Sequence, residues 1–240
     1  MEHLSHKSIT LSTDGFCFLN KADYCQLLDF YSLYPSAINE FVDSFNNLPI
    51  DEYMNDGGKY RFRRFGRLSY NSQADTLSKL PHEAFFQSRM HNSLNGNMNR
   101  DFSPMEDQVL ENKFLHFLIK YHYSKISNIS KVNHWKIYLH QIRIVANNEY
   151  GGNPAPEGIH RDGHYFVAQI LISKNNVSGG VSQLYNQNKD EIFKTELTEF
   201  LDSILLDDRR LYHNVSPIQP KEMITGNRDM LLIDFNPMSD

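Results

Sequence analysis

The last hundred residues constrain the fold more than anything before them. From about Lys131 onward, segments rich in β-branched and apolar residues follow one another: 135–146, 159–173, 180–186, 204–211 and 230–235. Gly/Asn/Pro-rich connections separate several of them, including 147–158 and Ser178-Gly179-Gly180, the latter reading as a hairpin turn. Strands in succession without alternating helices argue for a sandwich or a jelly roll.

The first part of the chain has a different character. Gly15-Phe16-Cys17-Phe18-Leu19 is a short apolar segment, after which Tyr24, Leu27, Leu28 and Tyr31 recur at helical spacing until Pro35 interrupts. A second helix-like stretch covers 36–45, and Asp56-Gly57-Gly58 turns the chain into a strand over 59–65. The clearest helix signal is at Ser103. Glu106 completes a capping-box pattern, Pro104 suits the first helical position, and Val109, Leu110, Phe114, Phe117, Leu118 and Tyr121 form an apolar stripe. Such helices would brace one face of a β core. At 240 residues, with no internal repeat, low-complexity tract or long linker, residues 1–240 read as one domain.

Composition narrows the function. Hydrophobic residues at 40% and charged residues at 22% describe a folded globular chain. The net charge of −5 is mild, and Lys and Arg are dispersed except around 61–67. The footprint of a nucleic-acid binder is missing, which favours small-molecule chemistry. Cys17 and Cys25 are too few for a disulfide scaffold and lack paired metal-ligand spacing, so two reduced thiols in a reducing cytoplasm are expected. Residues Met1 to Lys7 hold no basic segment leading into an apolar run. No stretch of about 18 uncharged apolar residues occurs, so neither secretion nor membrane insertion is expected.

The sharpest chemical feature is His160-Arg161-Asp162. Residues two apart on a strand share a face and would present an imidazole and a carboxylate to one metal ion. With 11 histidines in the chain, about one His-x-Asp arises by chance, so the context carries the weight. The pair follows a Gly/Pro-rich loop, is expected to open a strand, and is followed by Tyr212-His213-Asn214-Val215-Ser216-Pro217. Two histidines and one carboxylate make the facial triad of non-haem Fe(II) sites, which leaves one side of the metal open. Arg228 lies beyond His213 and introduces the apolar strand 230–235. Its guanidinium fork matches a carboxylate bidentately, as in the distal carboxylate of 2-oxoglutarate.

Several stretches together resemble the 2-oxoglutarate/Fe(II) dioxygenases that hydroxylate free L-amino acids, the family that includes L-isoleucine dioxygenase. They are His140-Gln141-Ile142-Arg143, Gly158 to Gly163, Ser178-Gly179-Gly180, Leu211 to Pro217 and Arg228-Asp229-Met230-Leu231-Leu232, with a looser likeness over Tyr60 to Arg67. The resemblance implies a mainly β fold with bracing α-helices, a double-stranded β-helix (jelly roll, cupin-like). Residues 1–130 would give support and a substrate region, and 131–240 the metal-binding core. It implies Fe(II), 2-oxoglutarate and O₂, with succinate and CO₂ released as a free L-amino acid is hydroxylated or its thioether oxygenated. The carboxylate of Asp162 argues for hydroxylation, because related halogenating enzymes lack it.

Other residues leave two readings open. Gln141 and Arg143 share a strand face, where Arg143 meets either substrate or a structural acid; Arg61 and Arg63 either hold an α-carboxylate or form a solvated charge run. His164 would crowd the open metal positions as a ligand and is given a supporting role, and His140 reads as a core histidine. The alternatives to amino-acid hydroxylation are the same chemistry on another small molecule or a peptide side chain, and a non-catalytic jelly-roll binding protein. Nothing in the sequence fixes an oligomeric state.

Overall fold

Period-2 alternation along three long segments builds the central sheet, and the two faces it creates have different fates. The computed structural model describes residues 9–24, 27–90, 92, 94 and 96–238; Cys25 and the first residues lie outside them. The first half holds α1 (Leu11–Asp14), β1 (Phe16–Leu19), α2 (Leu27–Leu33), α3 (Pro35–Asp43), β2 (Arg61–Asn71) and β3 (Thr76–Lys79). It continues with β4 (Phe85–Gln87), β5 (Met98–Arg100), α4 (Asp107–Leu110) and α5 (Lys113–Ile126). Strands then follow without helices: β6 (His134–Ala146), β7 (Phe166–Asn175), β8 (Val177–Gly179), β9 (Val181–Tyr185) and β10 (Glu191–Glu196). The last are β11 (Ser203–Asp207), β12 (Tyr212–Val215), β13 (Ile218–Pro220) and β14 (Gly226–Pro237).

Seven strands form one antiparallel sheet in the order β1-β11-β7-β14-β6-β2-β3, so strands from both halves of the chain share it. Smaller sheets, β10-β9-β12 and β13-β8, lie over it, and the whole is a mainly β jelly roll braced by helices. On the outer face Trp135, Ile137 and Leu139 of β6, and Leu231, Ile233 and Phe235 of β14, pack with Phe41 and with Phe114 and Leu118 of α5. Each such side chain contributes about 1.5–3 kcal/mol by leaving water. The inner face carries the alternate residues, and against it Leu184 and Leu211 pack with Val167, Leu171 and Met230. Among the described residues no helix is long and apolar enough to cross a membrane.

Three expectations change. The helix expected from Ser103 starts later. Phe65 N–H donates to Ser103 O (3.0 Å) and Met105 N–H to Phe65 O (2.8 Å), so 103–105 zips along a stretch of β2 that β3 does not reach. The cap of α5 is Asn112, whose Oδ1 accepts from Phe114 N–H and Leu115 N–H; of the expected apolar stripe, Phe114, Phe117, Leu118 and Tyr121 fall inside α5, whereas Val109 and Leu110 belong to the separate short helix α4. Gly179 and Gly180, both at positive φ, are not a hairpin turn. They are a corner where the chain leaves the β13-β8 pair for the β10-β9-β12 sheet. The strand expected over 159–173 begins only at Phe166, and the reason bears on the site.

Candidate active site

His160 and Asp162 do not sit on a regular strand. His160 makes one isolated bridge to His213 of β12: its N–H donates to His213 O (3.0 Å), and His213 N–H donates to His160 O (2.9 Å). The chain then leaves the ladder. The Asp208 carboxylate, just past β11, accepts N–H bonds from Asp162 (3.1 Å), Gly163 (2.7 Å) and His164 (3.0 Å), with Gly163 at φ +85°. Backbone donors committed to a side chain cannot pair with a neighbouring strand. The bridge and the Asp208 clamp replace strand alternation as the device that aims the two side chains.

The result is a converging set of donors. Asp162 Oδ1 lies 3.5 Å from His160 Nε2, and Asp162 Oδ2 lies 3.4 Å from His213 Nε2. All three ligand atoms fall within 4.8 Å of one another. These separations exceed ordinary hydrogen bonds. Ligands about 2.1 Å from a common ion and at right angles to one another stand about 3 Å apart, which the cluster approaches. The Nδ1–H of His160 donates to Gly158 O (2.8 Å), so its Nε2 lone pair is the one turned inward. Burial opposes ionisation of Asp162, but His213 and His160 outweigh it and hold the carboxyl well below its usual range. A permanently anionic oxygen between two imidazoles suits a divalent cation.

The inner face of the sheet continues the site. Arg61 of β2 stands opposite Ile144 of β6, which stands opposite Arg228 of β14; one rung along come Arg63, Ile142 and Met230. Two strand spacings, roughly 10 Å, therefore separate Arg61 from Arg228, with Ile142 and Ile144 between. All of these side chains line one cavity of about 110 Å³ together with the His160, Asp162 and His213 cluster.

Arg228 is 2% exposed, and its Nε and Nη2 have no hydrogen-bond partner among the described residues. Burial lowers it to about 10, which leaves it cationic at neutral pH. A Cβ at Gly180 would stand 3.1 Å from Arg228 Cδ and Nε, so that glycine makes room for the arginine stem. A buried guanidinium without a counter-anion costs several kcal/mol, and a bound carboxylate removes that cost.

The opposite wall is also cationic. Arg61 bonds Asp51 (2.7 Å), while Arg63 lies 3.7 Å over the Phe102 ring and donates to His140 Nδ1. Burial lowers Arg63 to about 9 and Arg100 to about 10; Arg100 Nη2 bonds only the neutral Gln87 Oε1. Because Arg63 can only donate, His140 Nδ1 is an acceptor and its Nε2–H points to Asp234 Oδ2 at 3.2 Å. Burial and Arg63 keep that histidine neutral. His164 also reaches Asp234, at 3.3 Å, rather than the donor cluster.

The fold thus brings together His160, Asp162, His213, Arg228, Arg61 and Arg63, and it does not bring Gln141 or Arg143. Both face the helices. Gln141 Nε2 donates to Ser44 Oγ and Arg143 pairs with Asp229 at 2.7 Å, since odd positions from 141 to 145 alternate away from the cavity. His140, by the same alternation, faces the cavity rather than the helix-packed core. Sequence reasoning missed Arg100, Glu157 and Asp208. Arg100 sits in a three-residue strand and the others in loops, where periodicity gives no signal.

Comparison with known proteins agrees with this geometry. A family model described as 2OG-Fe dioxygenase matches residues 42–234. The L-isoleucine-4-hydroxylase of Bacillus thuringiensis is 24% identical over 97% of this chain and 95% of its own length. The crystal structure of a bsmA homolog from Methylobium petroleophilum PM1 superposes with a TM-score of 0.83 at 27% identity, covering 95% of this chain and 90% of that one. IDO from Bacillus thuringiensis gives a TM-score of 0.77 at 20% identity over 95% of this chain and 96% of its own. The chain belongs to the 2OG-Fe dioxygenase family and is an enzyme that uses Fe(II), 2-oxoglutarate and O₂ on a small-molecule substrate.

Proposed function

We propose that His160, Asp162 and His213 hold the Fe(II), that Arg228 binds the distal carboxylate of 2-oxoglutarate, and that the substrate is a free L-amino acid. The observation that carries this reading is the buried, unpartnered Arg228 guanidinium in the same cavity as the two-histidine, one-carboxylate cluster. Iron held there couples decarboxylation of 2-oxoglutarate to insertion of an oxygen atom into a substrate C–H bond or thioether, so that substrate, 2-oxoglutarate and O₂ give oxygenated substrate, succinate and CO₂. The chain's own contribution is placement. Asp208 fixes the loop that presents Asp162, Gly158 O sets the His160 tautomer, and Ile142, Ile144 and Met230 form a dry strip between the cationic ends. The amino-acid assignment is supported by the surplus of guanidinium over carboxylate on the Arg61/Arg63/Arg100 wall, and by the isoleucine hydroxylase relative. A reducing cytoplasm, in which the buried Cys17 thiol persists, completes the reading.

Anaerobic titration of the apoprotein with Fe(II) and 2-oxoglutarate tests the ligands. A weak visible chelate band is expected in the wild type. It should be absent in His213→Ala and need far more cosubstrate in Arg228→Ala. A folded, iron-loaded wild type without the band overturns the assignment. Substrate-dependent succinate release across free amino acids, including leucine, isoleucine and methionine, then tests the substrate class; no release with any of them overturns that part.

A further inference from the structure

One cavity carboxylate takes no part in the arrangement described so far. Glu157 lies in the loop before His160, its side chain 9% exposed, and its Oε2 is buried with no hydrogen-bond partner. Its Oε1 has a long contact with Asn92 Nδ2 (3.5 Å) and lies 3.4 Å from His160 Nε2. Among the described residues that second contact is its only ion-pair contact, and it is made by the nitrogen the proposed iron would occupy. With His160 bound to metal, Glu157 is left as a buried anion facing the cavity without a cation of its own. Facing the same cavity, Arg100 is a 1% exposed cation whose Nε is unpartnered and whose one side-chain hydrogen bond goes to a neutral amide. The two lie on different segments, yet both line the cavity, and they influence each other electrostatically. Gln87 connects Arg100 to the metal loop, donating from Nε2 to Asp162 O (2.9 Å).

We infer that Glu157 and Arg100 are a matched pair for a zwitterion: Glu157 holds the substrate's α-ammonium and Arg100 its α-carboxylate. This deepens the amino-acid reading above and rests on it. A monoanion such as a second keto acid satisfies Arg100 but leaves Glu157 buried and unpaired, so the site selects for a free amino group. N-acylated amino acids and 2-hydroxy acids are poor substrates for the same reason. The side chain is then left to project along the apolar strip.

The test compares wild type and Glu157→Gln, a near-isosteric change, with a free amino acid that supports succinate release, its N-acetyl derivative and its 2-hydroxy acid analogue. Loss of a charge-assisted ammonium contact predicts a KM for the amino acid raised about ten- to a hundredfold, and collapse of the preference for amino acid over 2-hydroxy acid. The 2-oxoglutarate chelate band should keep its midpoint. Arg100→Lys should raise the KM for the amino acid and relax discrimination against its methyl ester. Unchanged KM and unchanged preference in Glu157→Gln overturn the inference while leaving the amino-acid reading intact. Loss of the chelate band in Glu157→Gln also overturns it, because Glu157 then serves the metal. If no free amino acid supports turnover in the wild type, the underlying reading has failed, and the 2-hydroxy acid and N-acetyl probes show which charge the site recognises.

Discussion

Arg228 and Asp229 are adjacent in sequence but belong to opposite sides of the sheet, and the two sides handle charge differently. On the helix side, Asp229 is closed into a self-contained set: Arg143 donates to it at 2.7 and 2.8 Å, and Ser173 Oγ at 2.7 Å. On the cavity side, among the described residues, Arg228 Nε and Nη2 have no hydrogen-bond partner, Arg100 hydrogen-bonds only a neutral amide, and Glu157 Oε2 has no hydrogen-bond partner. Arg228 and Asp229 are themselves equally buried, so solvent at the two residues does not explain the contrast. Buried charge left open on one side alone marks where ligands complete the structure.

The strongest way to break this comparison is to remove a proposed iron ligand. His213→Ala should lower substrate-dependent succinate release on the order of a thousandfold or more, read in single-turnover assays with excess Fe(II). Full activity in that variant would mean that the donor cluster is not the reaction centre. Next comes the pair of arginines. Arg228→Ala should raise the KM for 2-oxoglutarate about a hundredfold with little loss of thermal stability, because it removes a charge that the folded chain leaves unpaired. Arg143→Ala should do the reverse. It should leave that KM unchanged and cost about 1–3 kcal/mol in urea unfolding, discounted for the partial exposure of Arg143, because Asp229 is left buried. Equal kinetic effects of the two substitutions would erase the distinction between the faces.

Much of this was legible before the fold was known. The long strands and the stripe on α5 follow from periodicity, and His160, Asp162, His213 and Arg228 stand out by residue type and order. What the sequence hid was set by contacts between distant segments. Nothing local to Ser103 reveals that 103–105 will pair with Phe65, so a good capping-box pattern was overridden. Nothing near Asp208 announces that it will take three N–H groups from a loop about 45 residues earlier, although that clamp decides why His160 and Asp162 need no regular strand. Alternation in β6 was readable as a two-faced pattern, but which face met the cavity was not. His140, read as a core histidine, therefore lines the cavity, and of the two readings left open for Arg143 the structural acid, Asp229, is the one the fold shows.

The helix side holds a smaller test of the same contrast. His122 of α5 is fully buried there, its Nδ1–H donating to Leu118 O (2.8 Å), with Tyr24 and Ser203 hydroxyls at 3.4 and 3.5 Å from Nε2. Burial pushes it down to about 4, despite the helical carbonyl, so it is neutral in the fold at pH 7. An unfolded histidine protonates near 6.5, so between about pH 6.5 and 4 the unfolded chain binds more protons than the folded one. Stability must then fall as pH falls through that window, by about 1–2 kcal/mol at pH 5. His122→Gln, which keeps a donor near Leu118 O and has no charge to gain, should show a correspondingly smaller difference between its urea midpoints at pH 7 and pH 5. If wild type and variant lose the same stability over that interval, His122 is not the group whose burial opposes acid. The helix side would then be less self-contained than its hydrogen bonds indicate.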